Sequence, residues 1–291
     1  LDDPASLPWR DGLAVVRQRA HDEVPSLTRP RRVPPVLRAA RVARHLGLAV
    51  ALWRLRERKL DRSPRRAALS RRLRVAAEAL GPTYIKLAQI ISSGEGIFPP
   101  ELVDQFKLCR DRVPPETWEA VRKVVEQDFG RPLGDVFASF DEQPLAAASI
   151  AQVHAATLVT GEAVVVKVQR PTVARLVRED LEVMAWLAPH LVGRIPVAAL
   201  ANPPALVELF AETIVEELDF RLEAENMLDV AAVFRRLGQD HYVVPRPHPT
   251  LVTKRVLVME RLDGFAFDDV AGMKDAGVDT EAVVRAGLIA S

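Results

Sequence analysis

Lys167 stands out chemically because it interrupts a run of valines at residues 163–168. A lysine in such an apolar strand is expensive to bury unless an anion neutralises its charge. A strand lysine placed one hairpin after a small-residue loop can hold the phosphates of a nucleotide. A lysine that protects an exposed sheet edge against aggregation would give the same local pattern.

The small-residue loop before this hairpin is formed by Ala146, Ala147, Ala148 and Ser149. Glycine loops let backbone N–H groups approach phosphates closely, and alanine is the next smallest residue. The loop therefore fits a phosphate-binding role, although a run of alanines is also typical of a helix.

Lys86 and Gln89 are three residues apart, so they share one face of a predicted helix over 83–93. Apolar residues surround this pair along the helix. A polar face of this kind ordinarily points to solvent, and the alternative is that the two side chains meet a partner elsewhere in the fold.

A predicted helix over 203–236 carries one acidic stripe. Because no cation lies four residues from any member of the stripe, its carboxylates repel one another. They are either solvated or face cations elsewhere, and we expect Lys167 to pair with one carboxylate within 212–223 and Lys86 to approach Glu217 or Asp219. The stripe, at spacings of four, three and four residues, is Glu212, Glu216, Asp219 and Glu223.

The triplet Asp128, Phe129 and Gly130 has the sequence of the metal-binding triplet of protein kinases. It precedes both the alanine loop and Lys167, whereas the kinase triplet follows the equivalent features. We interpret it as the end of a helix with a glycine cap. The sequence contains no His-Arg-Asp catalytic loop and no histidine pair with metal-ligand spacing, so no metal site is predicted.

The composition of the 291 residues is that of a globular protein, with 48% hydrophobic and 27% charged residues. One cysteine excludes an intramolecular disulfide framework.

The net charge of +1 conceals a basic segment, residues 29–74, with 16 basic and 2 acidic side chains. Such a segment suits a helix on an anionic membrane or a surface helix docked on the body. Nucleic acid is not expected, because aromatic residues are not interleaved with the arginines.

The order of predicted elements favours an α+β fold with an antiparallel sheet over a doubly wound nucleotide-binding fold. Helices come first, then a hairpin and further strands, with a helix pair between them. No apolar run is long enough to span a bilayer. The expected organisation is an extended lead-in over 1–35, a basic helical segment over 36–80, a helical extension over 81–140, a sheet-containing part over 141–264 and a last part over 265–291.

Seven short segments in this order resemble the UbiB-like atypical kinases, also called the aarF-domain or ADCK family. The resemblance extends from about Leu80 to the end of the chain. The segments are LGPTYIKLAQ at 80–89, PPEL at 99–102, DRVPP at 111–115, PLAAASIAQVH at 144–154, VKVQRP at 166–171, EELDF at 216–220 followed by Glu223 and Ala224, and VME at 258–260.

The resemblance implies a protein-kinase-like fold that binds ATP or ADP with Mg²⁺. Residues 141–264 then correspond to the kinase N-lobe, and residues 265–291 to the start of a C-lobe that is otherwise largely absent from this sequence. The implied catalytic motif residues are Lys86, Gln89, Glu217 and Asp219. The implied nucleotide-binding residues are Ala146, Ala147, Ala148, Ser149, Lys167, Met259, Glu260 and Leu262, the last three in a hinge that binds adenine through its backbone. Glu212, Glu216 and Glu217 are the candidates for the helix glutamate that pairs with the strand lysine in kinases.

The family further implies action on isoprenoid lipids, notably in ubiquinone synthesis, at the cytoplasmic face of a membrane. An anionic membrane or a prenyl lipid is therefore an expected partner, and homodimerisation stays open. A non-catalytic, nucleotide-responsive lipid-binding scaffold is the main alternative to an ATPase or kinase. A phosphotransferase for antibiotics or choline is disfavoured by the Lys86–Gln89 and Glu217–Asp219 motifs. Ala88 replaces a family glycine, and the catalytic loop expected after the hinge does not occur in these residues.

Overall fold

The computed structural model describes residues 7–57, 59–109, 113–192, 202–239, 241–266 and 269–289. Within these ranges, helices surround one antiparallel sheet, which confirms the α+β prediction. The helices are α1 (Leu13–Thr28), α2 (Val36–Arg56), α3 (Arg62–Leu80), α4 (Pro82–Ser92), α5 (Pro100–Lys107), α6 (Trp118–Phe129), α7 (Val173–Leu191), α8 (Pro203–Glu217), α9 (Phe220–Arg236), α10 (Val270–Asp275) and α11 (Thr280–Ile289). The strands are β1 (Phe137–Phe140), β2 (Ala146–Ala147), β3 (Ala151–Leu158), β4 (Ala163–Gln169), β5 (Pro247–Val252) and β6 (Val256–Glu260).

The sheet has the strand order β1-β3-β4-β6-β5, and the short strand β2 also pairs with β3. All of these pairs are antiparallel. Strand β4 lies between β3 and β6, so Lys167 is on a central strand. The edge-protection interpretation of Lys167 is therefore wrong.

The two faces of β4 pack differently because successive side chains alternate across a strand. Val164, Val166 and Val168 are buried in one core cluster with Val121 and Val125 of α6. The opposite face of the sheet turns toward a second cluster that includes residues of α1, α4, α7, α8 and α9. The sheet thus separates α6 from the helical part of the molecule.

The lead-in predicted as extended over 1–35 is wrong for residues 13–28, which form α1. Leu13, Val24 and Leu27 are buried in the core cluster shared with α8, and this tertiary burial stabilises a helix that contains Pro25. Residues 1–6 lie outside the described ranges.

Two other boundaries differ from the prediction. The predicted helix over 203–236 is two helices, α8 and α9. The sheet begins with β1 at Phe137, before the predicted start at 141, because Phe137 packs into the core beneath it. In α11, Val283 and Val284 are exposed. In the part of the chain that the structure describes, no helix has the length and apolarity to cross a membrane.

Candidate functional site

Lys167 and Glu223 form the charged centre of the sheet face that is turned away from α6. The Nζ of Lys167 lies 2.7 Å from each carboxylate oxygen of Glu223, in the first turn of α9. The same Nζ lies 4.9 Å from the ring centroid of Phe220, a cation–π contact. The expected pairing of Lys167 with a carboxylate within 212–223 is confirmed.

The partner of Lys167 is not one of the three glutamates considered for that role, and this expectation is wrong. Glu217 instead bonds Lys86, and Glu212 lies 4.0 Å from His21. The reason is that the chain turns between α8 and α9. Glu223 therefore belongs to α9 and points in a direction that one continuous helix over 203–236 did not predict.

Two hydrogen bonds hold the turn between α8 and α9, which we call the corner, against the sheet. The Gln169 amide donates to the carbonyl of Leu218 at 3.1 Å, and the Phe220 N–H donates to the carbonyl of Lys254 at 3.0 Å. Because Gln169 follows Lys167 by two residues on β4, the strand that presents the lysine also fixes the corner. The position of Glu223 relative to Lys167 is therefore set by the sheet.

Asp219 caps α9 and is held by Arg221. Its carboxylate accepts the N–H of Arg221 at 3.2 Å and two guanidinium bonds at 2.9 and 2.7 Å. The carboxylate raises the pKa of Arg221 above its ordinary value. Asp219 is buried, and both of its carboxylate oxygens accept these hydrogen bonds from Arg221.

Lys86 and Glu217 form a second lysine–glutamate pair, between α4 and the end of α8. Their Nζ and Oε1 atoms are 2.6 Å apart, and both side chains are about one-quarter exposed. The prediction that Lys86 approaches Glu217 or Asp219 is confirmed. Gln89 lies on the same face of α4 as Lys86. Within the described residues, its side-chain amide makes no hydrogen bond. Ala88 is buried on the opposite face of α4.

The alanine loop is a β-hairpin, not the helix that a run of alanines can form. Ala146 and Ala147 pair with β3, and the Ala148 N–H donates to the carbonyl of Ala151 at 2.8 Å to close the turn. Ser149, the last residue of the predicted loop, is buried in the turn. Ala146 stands opposite Val153, which in turn stands opposite Lys167, so the hairpin and the lysine share one row across the sheet.

Arg170 joins this hairpin to the segment before α6, a role that sequence reasoning did not predict. Its guanidinium donates to the Ala148 carbonyl, the Glu116 carboxylate and the Pro114 carbonyl, each at 3.0 Å. Arg170 is buried. The only sequence signal for this role was the position of Arg170 in the VKVQRP segment. That signal does not distinguish a buried arginine from one on the surface.

A buried polar chain supports the hairpin from the other side of β3. The Gln152 side chain accepts the Glu116 N–H and lies 2.8 Å from His154 Nε2, while His154 Nδ1 lies 2.8 Å from the Asp141 carbonyl. Both Gln152 and His154 are almost fully buried. Burial lowers the pKa of His154, so the imidazole is neutral, with Nδ1 donating and Nε2 accepting.

Apolar side chains flank Lys167 on the same face of the sheet. Val165 stands opposite Met259 and Lys167 opposite Val153, which places all four on one face. We call this surface the cleft face. Its four side chains are partly exposed. Three adjacent strands separated by about 4.8 Å make a patch roughly 10 Å wide.

The predicted hinge residues lie at the end of β6. Met259 faces the cleft, whereas the side chain of Glu260 turns the other way and lies 3.2 Å from Arg246 Nε. This ion pair holds the pKa of Glu260 below its ordinary value. The Glu260 N–H donates to the Arg246 carbonyl at 2.9 Å. Leu262 follows the strand end and is exposed.

The Asp128-Phe129-Gly130 triplet is structural, as its position in the sequence indicated. Phe129 ends α6, and Gly130 caps the helix with a left-handed φ of 64°. Asp128 accepts hydrogen bonds from the Thr253 hydroxyl at 2.6 Å and from the Arg255 N–H at 3.1 Å, and also binds the Arg255 guanidinium. Nor do the described ranges contain any group of three or more histidine, cysteine or acidic side chains arranged to hold a metal ion.

Comparison with known proteins identifies one matching domain family, similar sequences and a solved structure. Residues 108–290 match the ABC1 atypical kinase-like domain. The chain is 39% identical over 281 residues to the uncharacterized protein Rv0647c of Mycobacterium tuberculosis H37Rv, covering 94% of this chain and 56% of that protein. It is 38% identical over 238 residues to the probable protein kinase UbiB of Pseudomonas putida F1, covering 79% of this chain and 42% of that protein. A solved structure, the complex of Rv3197 with erythromycin from Mycobacterium tuberculosis, aligns with a TM-score of 0.41 and 29% identity over 60% of this chain and 44% of that one.

The fold is that of a protein-kinase-like domain. The chain belongs to the ABC1 atypical kinase-like family, which confirms the resemblance to UbiB-like proteins. This membership supports a kinase-like, nucleotide-binding role. The chain spans about half the length of the curated relatives it matches. Of the resembling segments, Asp111 and Arg112 lie outside the described residues.

Proposed function

We propose that this chain is the nucleotide-binding part of an atypical kinase or ATPase, and that adenine nucleotide binds on the cleft face. The observation that carries the proposal is the Lys167–Glu223 pair, centred on a partly exposed apolar surface. A lysine held by a helix glutamate is the arrangement that positions nucleotide phosphates in kinases. Val165 and Met259 offer the purine a flat apolar contact, and Lys167 offers the phosphates a fixed cation.

The alanine hairpin and the strand end complete the proposed nucleotide site. The small side chains of residues 146–149 let phosphates approach the backbone, and the chain after Met259, including Glu260 and Leu262, supplies backbone groups for the adenine. Mg²⁺ enters this proposal with the nucleotide, where it supplies charge neutralisation between the phosphates.

The Lys86–Glu217 pair is proposed to act beside the nucleotide site. Lys86, Gln89 and Glu217 are the proposed catalytic groups, since they share one surface between α4 and α8. Asp219 is proposed as a positioning residue, because its carboxylate is bound to Arg221 and to the first turn of α9. The competing possibility is a scaffold that binds nucleotide without turnover. Measuring ATP hydrolysis by the full-length protein distinguishes the two, because only an enzyme would hydrolyse ATP.

Replacing Lys167 by methionine tests the nucleotide site. We expect affinity for a fluorescent ATP analogue to fall about 10- to 100-fold, since a charge-assisted hydrogen bond contributes about 1.5 to 3 kcal/mol. The matched control is Lys123→Met, which removes an exposed lysine from α6 on the far side of the sheet. Equal affinity of the Lys167 and Lys123 variants would show that nucleotide does not bind on the cleft face.

We also propose that the outer face of α2 binds an anionic membrane, as work on isoprenoid quinones or other prenyl lipids would require. Leu37, Leu48 and Leu55 are 89%, 56% and 81% exposed, and the helical spacing places Arg41 and Arg44 on the same face. Large apolar side chains interleaved with arginines suit the interface of an anionic bilayer. Not every basic residue of 29–74 serves this surface, because Arg38 is buried.

Liposome co-sedimentation tests this surface. We expect Arg41→Gln/Arg44→Gln to weaken binding to phosphatidylserine vesicles about 30-fold at low salt, since each charge near the surface contributes about 1 kcal/mol. Raising the ionic strength should weaken binding of the unmodified protein as well. The control, Arg235→Gln/Arg236→Gln, removes the same charge from the exposed last turn of α9. An equal effect of both double substitutions would leave only non-specific electrostatics and refute a binding role for α2.

A further inference from the structure

A cavity of about 250 Å³ lies beside the corner, between α1, α7 and the turn that joins β5 to β6. From α1 it receives Val16, Arg19, Ala20 and Glu23, whose spacing of three, one and three residues places them on one face of the helix. None of the residues proposed to contact nucleotide lines this cavity. The cavity is therefore separate from the proposed nucleotide site.

Positive charge prevails in the lining. The apolar lining residues come from α1, α7 and α8, and apolar walls around a concave site concentrate the field of its charges. The two carboxylates compensate only two of the four cations, so the site keeps a net charge of +2. The charged lining residues are the cations Arg19, Arg178, Arg221 and Lys254 and the carboxylates Glu23 and Asp219.

Two of the arginines are fixed in place and still have unused donors. Arg178 binds Glu23 through Nε at 2.9 Å and Nη2 at 3.5 Å, and Arg221 binds Asp219 through Nε at 2.9 Å and Nη2 at 2.7 Å. The Nη1 atom of each guanidinium also carries N–H donors. Neither Nη1 atom has an acceptor in the part of the chain that the structure describes. Both carboxylates are thus paired, and both arginines can bind a further anion.

The other two cations, Arg19 and Lys254, have no carboxylate partner within the described ranges. They approach the cavity from different elements, since Arg19 belongs to α1 and Lys254 to the turn between β5 and β6. The carbonyl of Lys254 accepts the N–H of Phe220 at 3.0 Å, which fixes the backbone of that turn to the start of α9. Cations that the fold holds around one space repel one another, and an anion between them removes that repulsion.

We propose that this cavity binds a phosphate dianion, either free or as the ester of a small polar molecule. The charge of such a group matches the net charge of the lining, and the planar guanidinium has the geometry that binds phosphate oxygens in pairs. The volume is below the roughly 300 to 1,000 Å³ that is typical of pockets for drug-sized ligands, so the ligand is small. This site does not depend on the proposed nucleotide site.

The experiment is an NMR titration of the ¹⁵N-labelled 291-residue protein with glycerol 3-phosphate at constant ionic strength. We expect saturable shifts of the Ala20, Ala174 and Leu218 amides, and none with glycerol. Arg19→Gln/Lys254→Gln replaces two exposed side chains and should weaken binding about 10- to 100-fold, because hydrogen bonds from charged donors are lost.

The matched control is Arg235→Gln/Arg236→Gln, which removes the same charge from the last turn of α9. Those arginines lie roughly 22 Å along the helix from Arg221, at 1.5 Å per residue. The control protein should bind glycerol 3-phosphate as tightly as the unmodified protein.

Co-sedimentation with phosphatidic acid vesicles distinguishes two sources of the phosphate group. Inhibition of vesicle binding by glycerol 3-phosphate in the unmodified protein, but not in Arg19→Gln/Lys254→Gln, would assign the site to a lipid headgroup. Vesicle binding that glycerol 3-phosphate does not change would assign it to a soluble phosphate. Both results retain the phosphate site that the titration detects.

Three results of the titration would overturn the proposal. The first is the absence of saturable shifts at millimolar glycerol 3-phosphate. The second is unchanged affinity in Arg19→Gln/Lys254→Gln, which would place the phosphate elsewhere. The third is an equal loss in both double variants, which would show that only the net charge of the protein attracts the anion.

Discussion

Replacing Arg38 by methionine is expected to lower the free energy of unfolding by about 3 to 5 kcal/mol, because it leaves a buried carboxylate without its counter-ion. Arg38 in α2 and Asp180 in α7 are 5% and 0% exposed. Arg38 Nη2 donates to Asp180 at 2.9 Å and to the carbonyl of Leu80 at 2.8 Å, at the end of α3. One side chain thus joins three helices, and urea denaturation followed by circular dichroism measures its loss.

The control for this prediction is Arg41→Met, an exposed position less than one turn further along α2, where we expect a change within about 0.5 kcal/mol. The double variant Arg38→Met/Asp180→Leu should recover much of the lost stability, because it leaves no unpaired charge. If the single and double variants are equally unstable, the loss is one of packing and not of charge pairing.

The Arg38→Met protein should also respond to pH in a defined direction. Burial already raises the pKa of Asp180, and Arg38 opposes that effect. Without Arg38, the folded-state pKa should rise further above the unfolded value, so the folded protein binds the proton more tightly than the unfolded chain. Its stability deficit should consequently shrink as the pH falls from 7 toward 5.

Asp128→Ala is expected to destabilise the protein by about 2 to 4 kcal/mol while leaving nucleotide affinity of the folded protein unchanged. The substitution removes the nearest acceptor of the Thr253 hydroxyl and of the Arg255 N–H at the turn between β5 and β6, which leaves these donors only acceptors at 3.4 and 3.3 Å. It also removes the carboxylate that pairs with the Arg255 guanidinium. Thermal unfolding measures the first effect, and titration with a fluorescent ATP analogue at low temperature measures the second.

Asp135→Ala provides the comparison for Asp128, since it removes an exposed carboxylate from the same part of the chain. It should change neither quantity. A loss of nucleotide affinity in Asp128→Ala, with stability unchanged, would mean that the triplet binds metal and nucleotide after all.

Local signals predicted most helices and the central hairpin. The helix predicted over 83–93 is α4, the glycine cap predicted at Gly130 ends α6, and the valine run around Lys167 is strand β4. Each of these positions depends on backbone preferences of a few neighbouring residues, which sequence patterns report directly.

The break between α8 and α9 could not be predicted in the same way. Leu218 and Asp219 are compatible with a continuous helix, and the turn is fixed by Gln169 and Lys254, which are distant in the chain. The identity of the lysine partner depends on that turn, so the sequence indicated a carboxylate but not Glu223. Similarly, α1 is stabilised by its buried contacts with α8, which the proline- and arginine-rich composition of residues 1–35 does not reveal.

The Arg170 contacts have a thermodynamic consequence for ligand binding. A phosphate-binding loop that is mobile before binding must lose about 1 to 2 kcal/mol of backbone conformational entropy for each residue that becomes ordered. Here the turn after Ala147 is already fixed, because the buried guanidinium of Arg170 donates hydrogen bonds to Ala148, Glu116 and Pro114. That entropy is lost when the chain folds, so a ligand that reaches the hairpin meets a preorganised surface and keeps more of its intrinsic binding energy.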